Sequence, residues 1–296
     1  MSAHHHHHAS ASAGRLKVAL ALLVGLMALE VAAGVLANSL ALLSDAAHML
    51  TDAGALALAL VALRLAARPA RGAMTYGLGR SEILSAQFNG ATLLVLALLI
   101  VYEGIRRLIE PPAVEGGVVL AVALVGVAVN VAATWVLHGA DRRSLNIEGA
   151  FQHVLTDLVA FIATAVAGLV VLVTGFDRAD GIASLFVAAV MLRAAWGLLR
   201  DSGRIFLEAA PKGIDVEGVG AAMVGVAGVT EVHDLHVWEV TSGFPALSAH
   251  VLVGIDDDCH RARADLETLL HDRFGIEHTT LQVEHEGGDL LHIEMP

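Results

Sequence analysis

Six long apolar runs constrain what this chain can fold into. They cover residues 16–37, 40–65, 83–105, 117–137, 147–173 and 182–199, the last continuing to about residue 206. An α-helix needs about 20 apolar residues to cross the hydrocarbon core of a bilayer. With 56% hydrophobic residues and a mean hydropathy of +0.68, the composition excludes an ordinary soluble globular protein. The sequence therefore predicts a polytopic α-helical membrane protein with six transmembrane helices over residues 15–208.

The balance of charge changes sharply near residue 208. Residues 1–208 carry 14 basic and 14 acidic side chains, whereas residues 209–296 carry 4 basic and 16 acidic ones. The net charge of −12 therefore lies entirely in the last 88 residues. A change this sharp marks a domain boundary. An acidic domain argues against binding to nucleic acid or anionic lipid, and it suits a domain that meets cations.

Residues 209–296 also change their hydrophobic pattern. Helices are predicted over 214–226 and 259–274, and strands with alternating apolar residues over 230–241, 246–254 and 278–286. The order α-β-β-α-β predicts a small α+β domain with a three-stranded sheet.

The first 14 residues are polar and small, with five consecutive histidines from His4 to His8. Two interpretations stay open: a native tail that collects metal, or an expression tag with its linker. In both cases residues 1–14 are expected to be flexible and to lie outside the fold.

Lys and Arg side chains near the ends of the apolar runs predict the orientation in the membrane, because cytoplasmic loops carry the excess of them. One side carries Arg15, Lys17, Arg64, Arg68, Arg71, Arg80, Arg142, Arg143, Arg200 and Arg204, and the other carries Arg106, Arg107 and Arg178. Both termini and the acidic domain are therefore predicted to be cytoplasmic.

Two of the apolar runs contain the same ionisable motif, His-x-Leu-Thr-Asp, as His48 to Asp52 and as His153 to Asp157. The His and the Asp are four residues apart and so share one face of a helix. At about 1.5 Å per residue, both pairs lie roughly 9–18 Å deep, near the middle of a core about 30 Å thick. Two such helices packed face to face would supply a tetrahedral shell for Zn²⁺. The alternative is intramembrane hydrogen bonding that only fixes helix packing.

Two further carboxylates lie within the apolar runs. Asp45 is close to one turn before His48, where it would accept a hydrogen bond from a ligand, take up a proton, or cap the helix. Glu30 has no cation nearby in the sequence. Two roles are open for Glu30: a place on a proton path, or a buried neutral hydrogen bond to Asn38, Asn89 or Asn130.

Four stretches carry a resemblance to a known family. They are residues 38–52, Tyr76-Gly-Leu-Gly-Arg80-Ser-Glu82, residues 146–157, and His233-Asp-Leu-His236-Val-Trp238. With these motifs in the same order and spacing, the chain beyond residue 14 resembles the cation diffusion facilitator family of divalent-metal/proton antiporters. It is most similar to the zinc-exporting branch, which carries His and Asp on the second helix.

The resemblance implies a homodimer in the cytoplasmic membrane and alternating access that exchanges cytoplasmic Zn²⁺ for protons. It also implies a metal site in the cytoplasmic domain on His233, His250 and Glu284, with Gln282 where one branch has a further His. A charge interlock between the loop after the second helix and the end of the sixth would map onto Arg80 and Glu208. Candidate further ligands of the cytoplasmic domain are His236, His260 and His285.

Together these observations predict a secondary transporter rather than an enzyme, with no catalytic residues, that exports Zn²⁺ and also accepts Cd²⁺ or Co²⁺. Neutral imidazole and ionised carboxylate are needed to bind Zn²⁺, so metal binding and proton binding exclude each other. Two alternatives remain: a membrane-embedded zinc metalloenzyme, and a passive channel or non-transporting metal sensor. The four side chains already close a tetrahedral shell and no His-Glu-x-x-His motif is present, which disfavours the enzyme.

Overall fold

The computed structural model describes residues 3–36, 40–111, 116–142 and 144–286; within its helices, the side chains of residues 3–11, 30, 33–36, 40–48, 51, 116 and 118 are not among those described. The first six helices are α1 (Ala3–Leu36), α2 (Leu40–Ala66), α3 (Ser81–Ile109), α4 (Gly116–His138), α5 (Leu145–Thr174) and α6 (Arg178–Phe206). The remaining elements are α7 (Val216–Val224), β1 (Val229–Thr241), β2 (Phe244–Val253), α8 (Cys259–Phe274) and β3 (His278–His285). The chain forms two compact units, Met1–Gly203 and Arg204–Pro296.

The first unit consists of helices long enough to cross a bilayer. Within the described residues, five segments are both long and apolar enough: Ser12–Leu29, Ser81–Ile109, Val119–His138, Leu145–Thr174 and Arg178–Phe206. The remaining helix, α2, has 27 residues, which also exceeds the length a spanning helix needs. The predicted fold class, a polytopic helical membrane protein with a C-terminal α+β domain, is confirmed.

Several helices extend beyond the apolar runs that predicted them. α3 begins at Ser81 and ends at Ile109, because the charged residues at its ends continue the helix while keeping their head groups in a polar layer. α1 differs most, since it begins at Ala3 and places residues 3–14 in a helix rather than in the flexible segment expected. Extending an existing helix is easier than starting one, and the stretch contains no proline. Ser12 at its end is buried and accepts a hydrogen bond from the Asp141 N–H at 3.2 Å.

Two apolar clusters hold the membrane helices together. One joins α1, α2, α4 and α5 and includes Leu16, Leu56, Leu137, Ala150 and Val154. The other joins α3 and α6 and consists of Leu93, Ala97, Val187, Met191, Ala195 and Leu198. The first cluster positions the site described below, because it fixes α2 against α5.

The C-terminal unit follows the predicted order α-β-β-α-β. β1 and β2 form an antiparallel hairpin joined by Ser242 and Gly243, and Gly243 has the positive φ of 73° that such a short turn requires. β3 lies parallel to β2 on its other side, so the strand order is β1-β2-β3. One face of the sheet packs on α7 and α8 through Leu247, Val251 and Leu266. The opposite face carries polar side chains.

Candidate metal centres

α2 and α5 bring three of the four predicted ligands together. Asp52 Oδ1 lies 2.8 Å from His153 Nε2, and Asp157 Oδ2 lies 4.0 Å from the same nitrogen. All three residues offer one ligand atom within 4.8 Å of the others. The hydrogen bond between His153 and Asp52 holds these two ligand atoms side by side. The spacing is that of a site which a single ion could bridge.

The fourth predicted ligand belongs to α2 by its backbone. His48 precedes Asp52 by four residues of continuous helix, so its Cα is on the face of α2 that carries Asp52. The side chains of His48, Asp45 and Glu30 lie outside those described. Their assignment as ligand, as helper of a ligand or as part of a proton path stays a prediction.

The three assembled groups are withdrawn from solvent. The side chain of His153 is 1% exposed, that of Asp52 7% and that of Asp157 15%. His153 Nδ1 and Asp157 Oδ2 are buried without a hydrogen-bond partner among the described residues. Buried carboxylates are costly unless a cation or hydrogen bonds compensate them. The arrangement is therefore poised to take up a divalent cation, which would coordinate both carboxylates at once.

A second polar contact holds α2 to α5 two turns from the ligands. The Asn146 amide donates from Nδ2 to the Ala59 carbonyl oxygen at 2.8 Å. Asn146 is seven residues before His153 and Ala59 seven residues after Asp52, so the two antiparallel helices are bridged at both levels. Thr156, which shares the ligand motif, bonds instead to the Gln152 carbonyl of its own helix.

Sequence reasoning did not assign a function to several buried polar residues near this site. Ser85, Asn89 and Asn146 are each at most 3% exposed, and each has at least one side-chain polar atom without a hydrogen-bond partner among the described residues. The available signal was their position within or at the start of apolar helices, with Ser85 and Asn89 four residues apart on one face of α3.

A second group of potential ligands lies on the polar face of the sheet. His233 and His250 are opposite each other in the β1–β2 register, with ring centroids 5.2 Å apart. Asp234 Oδ2 lies 3.4 Å from His233 Nδ1, and the ligand atoms of these three residues are within 4.8 Å of one another. Asp234 has a φ of 49° at a register shift of β1, a conformation that Asp tolerates better than most residues. The bulge turns its carboxylate toward the imidazoles.

Glu284 is not part of this group in the structure. His250 lies beside Gln282 in the β2–β3 register, whereas Glu284 lies beside Leu252, two residues further along the same face. The Gln282 amide donates a hydrogen bond to the Glu284 carboxylate. Sequence reasoning missed Asp234, which occupies the place beside His233 that a third ligand would need. The bulge that places it there has no signature in the sequence.

The three candidate further ligands are separate from the pair. His236 faces Ser248 across the sheet, and His260 is the second residue of α8. His285 donates from Nε2 to the Asp257 carbonyl oxygen at 2.9 Å. Within the residues that the structure describes, none of the three joins His233 and His250 in a metal-sized cluster. The interlock between Arg80 and Glu208 would connect the two units and stays a prediction.

Comparison with known proteins places the chain among metal transporters. A family model described as the cation efflux transmembrane domain matches residues 16–207, and one described as the cation efflux protein cytoplasmic domain matches residues 211–286. A cadmium, cobalt and zinc/H(+)-K(+) antiporter of Bacillus subtilis is 37% identical over 275 residues, covering 92% of this chain and 88% of the relative. Zinc transporter ZitB of Escherichia coli is 39% identical over 278 residues, covering 93% and 88%. Metal cation efflux system protein CzcD of Cupriavidus metallidurans is 36% identical over 271 residues, covering 91% and 85%.

Proposed function

Since this chain belongs to the cation efflux family, we propose that it exports cytoplasmic Zn²⁺ across the cell membrane in exchange for protons. The observation that carries the proposal is the convergence of Asp52, His153 and Asp157 on one buried point between two spanning helices. His48, four residues before Asp52 on α2, would complete the shell. An ionisable cluster inside a membrane costs free energy, and such clusters mark functional sites such as ion pathways.

The donor set supports Zn²⁺ as the substrate. Imidazole nitrogen and carboxylate oxygen in a tetrahedral set suit Zn²⁺, Cd²⁺ and Co²⁺, whereas all-oxygen sites favour Mg²⁺ or Mn²⁺ and thiolates favour Cu⁺. The similar transporters from three bacteria carry zinc, cadmium, cobalt or efflux in their names. We assign Zn²⁺ as the main substrate and Cd²⁺ and Co²⁺ as lesser ones.

Exchange follows from the chemistry of the ligands. A metal ion needs imidazoles that are neutral and carboxylates that are ionised, so binding of Zn²⁺ releases protons and protonation releases Zn²⁺. Histidine has an ordinary pKa near about 6.5, which makes it the natural carrier at physiological pH. Zn²⁺ and protons thus exclude each other at the cluster. If α2 and α5 expose the cluster first to one side of the membrane and then to the other, the flow of Zn²⁺ is coupled to an opposite flow of protons.

The remaining parts of the proposal concern organisation. Residues 15–208 form the transport domain, and residues 209–296 form a cytoplasmic domain that pairs with that of a second copy, with both termini in the cytoplasm. Metal binding at His233, Asp234 and His250 would regulate transport by relieving repulsion between two acidic domains. The match of residues 211–286 to the family's cytoplasmic domain supports this arrangement.

The test is zinc flux into proteoliposomes under an imposed pH gradient, comparing wild type with Asp157→Asn. This substitution removes a ligand charge while keeping the side-chain size. Asp177→Asn, on the link between α5 and α6, is the matched control because it makes the same change outside the shell. We expect flux that follows the proton gradient in wild type and in the control, and no flux in Asp157→Asn.

Other results would point to the alternatives. Zinc flux that does not respond to the pH gradient would indicate a channel. Zinc binding without flux, lost in Asp157→Asn, would indicate a sensor or a metalloenzyme and would overturn the proposal.

A further inference from the structure

An elongated groove of about 890 Å³ lies between α2 and α3. Its α2 wall extends from Gly54 to Leu65 and its α3 wall from Ser81 to Thr92. On each helix the lining residues recur at spacings of three and four, so each wall is one face of its helix. Ser81 Oγ donates a hydrogen bond to the Ala62 carbonyl oxygen at 3.0 Å, which holds the two helices together at one end of the groove.

The groove is apolar and opens outward from the helices. Phe88 is 60% exposed, Leu84 58% and Val61 49%. The hydroxyl groups of Ser81 and Thr92 already donate hydrogen bonds to backbone carbonyl oxygens, so they add little polarity to the walls. In a chain that spans a bilayer, the medium in contact with such a surface is lipid tails, which are about as apolar as leucine.

The length of the groove matches one leaflet of a bilayer. Each wall covers eleven residue steps, Gly54 to Leu65 and Ser81 to Thr92. At about 1.5 Å per step each wall is about 16 Å long, close to half of a hydrocarbon core about 30 Å thick. A helix of a second copy would cross both leaflets, whereas an acyl chain ends near the middle of the bilayer, as the groove does.

The segment that joins α2 to α3 is basic, and it lies at the same end of the groove as Ser81. Residues 64–80 carry four basic side chains and no acidic one, a net charge of +4. The four are Arg64, Arg68, Arg71 and Arg80, and all are exposed. Arg68 follows Leu65 by three residues, and the backbone of Arg71 pairs with that of Met74 in a tight turn. Clusters of four or more basic residues directly beside a membrane helix attract anionic lipid headgroups.

We propose that the groove and this basic segment form a binding site for one anionic phospholipid of the bilayer. One acyl chain lies between α2 and α3, and the headgroup phosphate binds Arg68 and Arg71. Arginine suits this role because its guanidinium group donates paired hydrogen bonds to phosphate oxygens. The site is separate from both metal centres, and its occupancy does not depend on the proposed exchange of Zn²⁺ for protons.

The first experiment compares two lipids that differ only in their headgroup. Native mass spectrometry of the purified full chain is used to titrate phosphatidylglycerol, which is anionic, and phosphatidylcholine, which is zwitterionic, with identical acyl chains. A basic residue at an anionic surface contributes about fivefold in affinity. We therefore expect one saturable site that prefers phosphatidylglycerol by about tenfold or more. Equal affinities for the two lipids would overturn the proposal.

The second experiment removes the charge that recognises the headgroup. The double substitution Arg68→Gln with Arg71→Gln should abolish most of the preference for phosphatidylglycerol and leave the affinity for phosphatidylcholine nearly unchanged. The matched control is Arg261→Gln with Arg263→Gln on α8, which makes the same change of charge in the C-terminal unit. The control should bind both lipids as wild type does. A preference that survives the loss of Arg68 and Arg71 would contradict the assignment of the headgroup site.

The third experiment fills the groove without changing charge. Gly54→Leu places a side chain at its inner end, and Gly197→Leu on α6 is the matched control. At both glycines an added Cβ would meet no atom of the described residues within 4 Å. We expect Gly54→Leu to weaken binding of both lipids by the same factor, about fourfold for each methylene group displaced from the groove. Wild-type affinity in Gly54→Leu would show that the acyl chain lies elsewhere.

The position of the chain is tested in wild type, independently of any variant. A phosphatidylglycerol with a photoreactive diazirine near the end of one acyl chain should label residues 54–61 of α2 and 84–92 of α3. Labelling spread evenly over the membrane helices would indicate bulk lipid only and would reject the site. Phe88→Cys in a Cys259→Ser background tests the other occupant. Oxidative cross-linking of two copies through position 88 would make the groove a subunit interface and would equally reject the proposal.

Discussion

Asp52, His153 and Asp157 are enclosed between two membrane helices, whereas His233, Asp234 and His250 lie on the open face of a sheet. Both clusters consist of imidazoles and carboxylates at similar spacing. Their exposure differs widely: the His153 side chain is 1% exposed, against 34% for His233 and 69% for Asp234. The same ligand types therefore occupy two environments that differ in water and in dielectric constant.

Burial changes the electrostatics of a metal site in two opposing ways. Charges attract each other far more strongly away from water, but they also lose more hydration. Burying the charged ligands costs free energy, and either a bound cation or bound protons can offset that cost. Metal and protons are therefore expected to compete for the buried cluster. The exposed cluster remains hydrated whether or not it binds metal, so it suits reversible sensing.

The largest expected effect is at the buried cluster. His153→Ala should reduce zinc transport by more than about 100-fold, because loss of even a supporting residue at a metal site costs about 10–100-fold. It leaves Asp52 and Asp157 facing each other without the imidazole between them. Zinc flux in proteoliposomes measures the effect, and calorimetry should show that binding by the sheet cluster persists. Transport close to the wild-type rate would remove His153 from the metal shell.

The next effect separates the two clusters. His250→Ala should weaken zinc binding by the cytoplasmic domain by about 10–100-fold while the maximal transport rate stays within a few-fold of wild type. The reason is that His250 lies on β2 of the C-terminal unit, whereas the buried cluster is formed by α2 and α5. Calorimetry and flux on the same preparation provide the comparison. A complete loss of transport would show that the exposed cluster is required for turnover rather than for its regulation.

A smaller effect decides which carboxylate serves the exposed cluster. Asp234→Asn should weaken zinc binding there by about tenfold, since it removes the ionised ligand 3.4 Å from His233. Glu284→Gln is the matched change on the neighbouring strand, where the carboxylate already accepts from Gln282. We expect a weaker effect from it. The reverse order would restore the ligand set of His233, His250 and Glu284 that the family resemblance implies.

The buried cluster was accessible to sequence reasoning and the exposed one only in part, for physical reasons. Asp52, His153 and Asp157 are ionisable residues inside apolar runs, each part of a His–Asp pair at helical spacing, so their burial and facing direction followed from periodicity. In the sheet, His233 and His250 depend on strand register, and Asp234 depends on a bulge. A shift of one residue in register exchanges the faces of a strand, and short-range patterns do not fix it.

The helices show the same limit at their ends. The pattern of apolar residues along the chain predicted the order and number of elements. α8 begins and ends as predicted, at Cys259 and Phe274. The apolar criterion could not locate the start of α1 at Ala3 or the charged ends of α3, because backbone hydrogen bonds continue a helix beyond the apolar run. Ser85 was missed because a neutral polar residue in an apolar run does not stand out until its burial is known.

The smallest effect concerns how the exposed cluster loses metal in acid. It tests whether the ligands become protonated in a folded domain or whether the domain itself unfolds. Asp258 precedes α8 and accepts hydrogen bonds from the N–H groups of Arg261 and His260, which lowers the pKa of its carboxyl group. A lowered folded-state pKa stabilises the domain above the unfolded value of about 3.9, and that contribution is lost as the pH falls through the folded value.

Asp258→Asn keeps the cap but cannot titrate. Hydrogen exchange of the α8 amides should therefore be somewhat faster than in wild type at neutral pH, and the two proteins should converge below about pH 4 as Asp258 becomes protonated. This window lies below the pH at which imidazole ligands ordinarily take up protons, so zinc lost between about pH 5 and 7 reports competition between protons and metal in an intact domain. Opening of α8 within that higher range would mean instead that the exposed cluster loses its metal because its support unfolds.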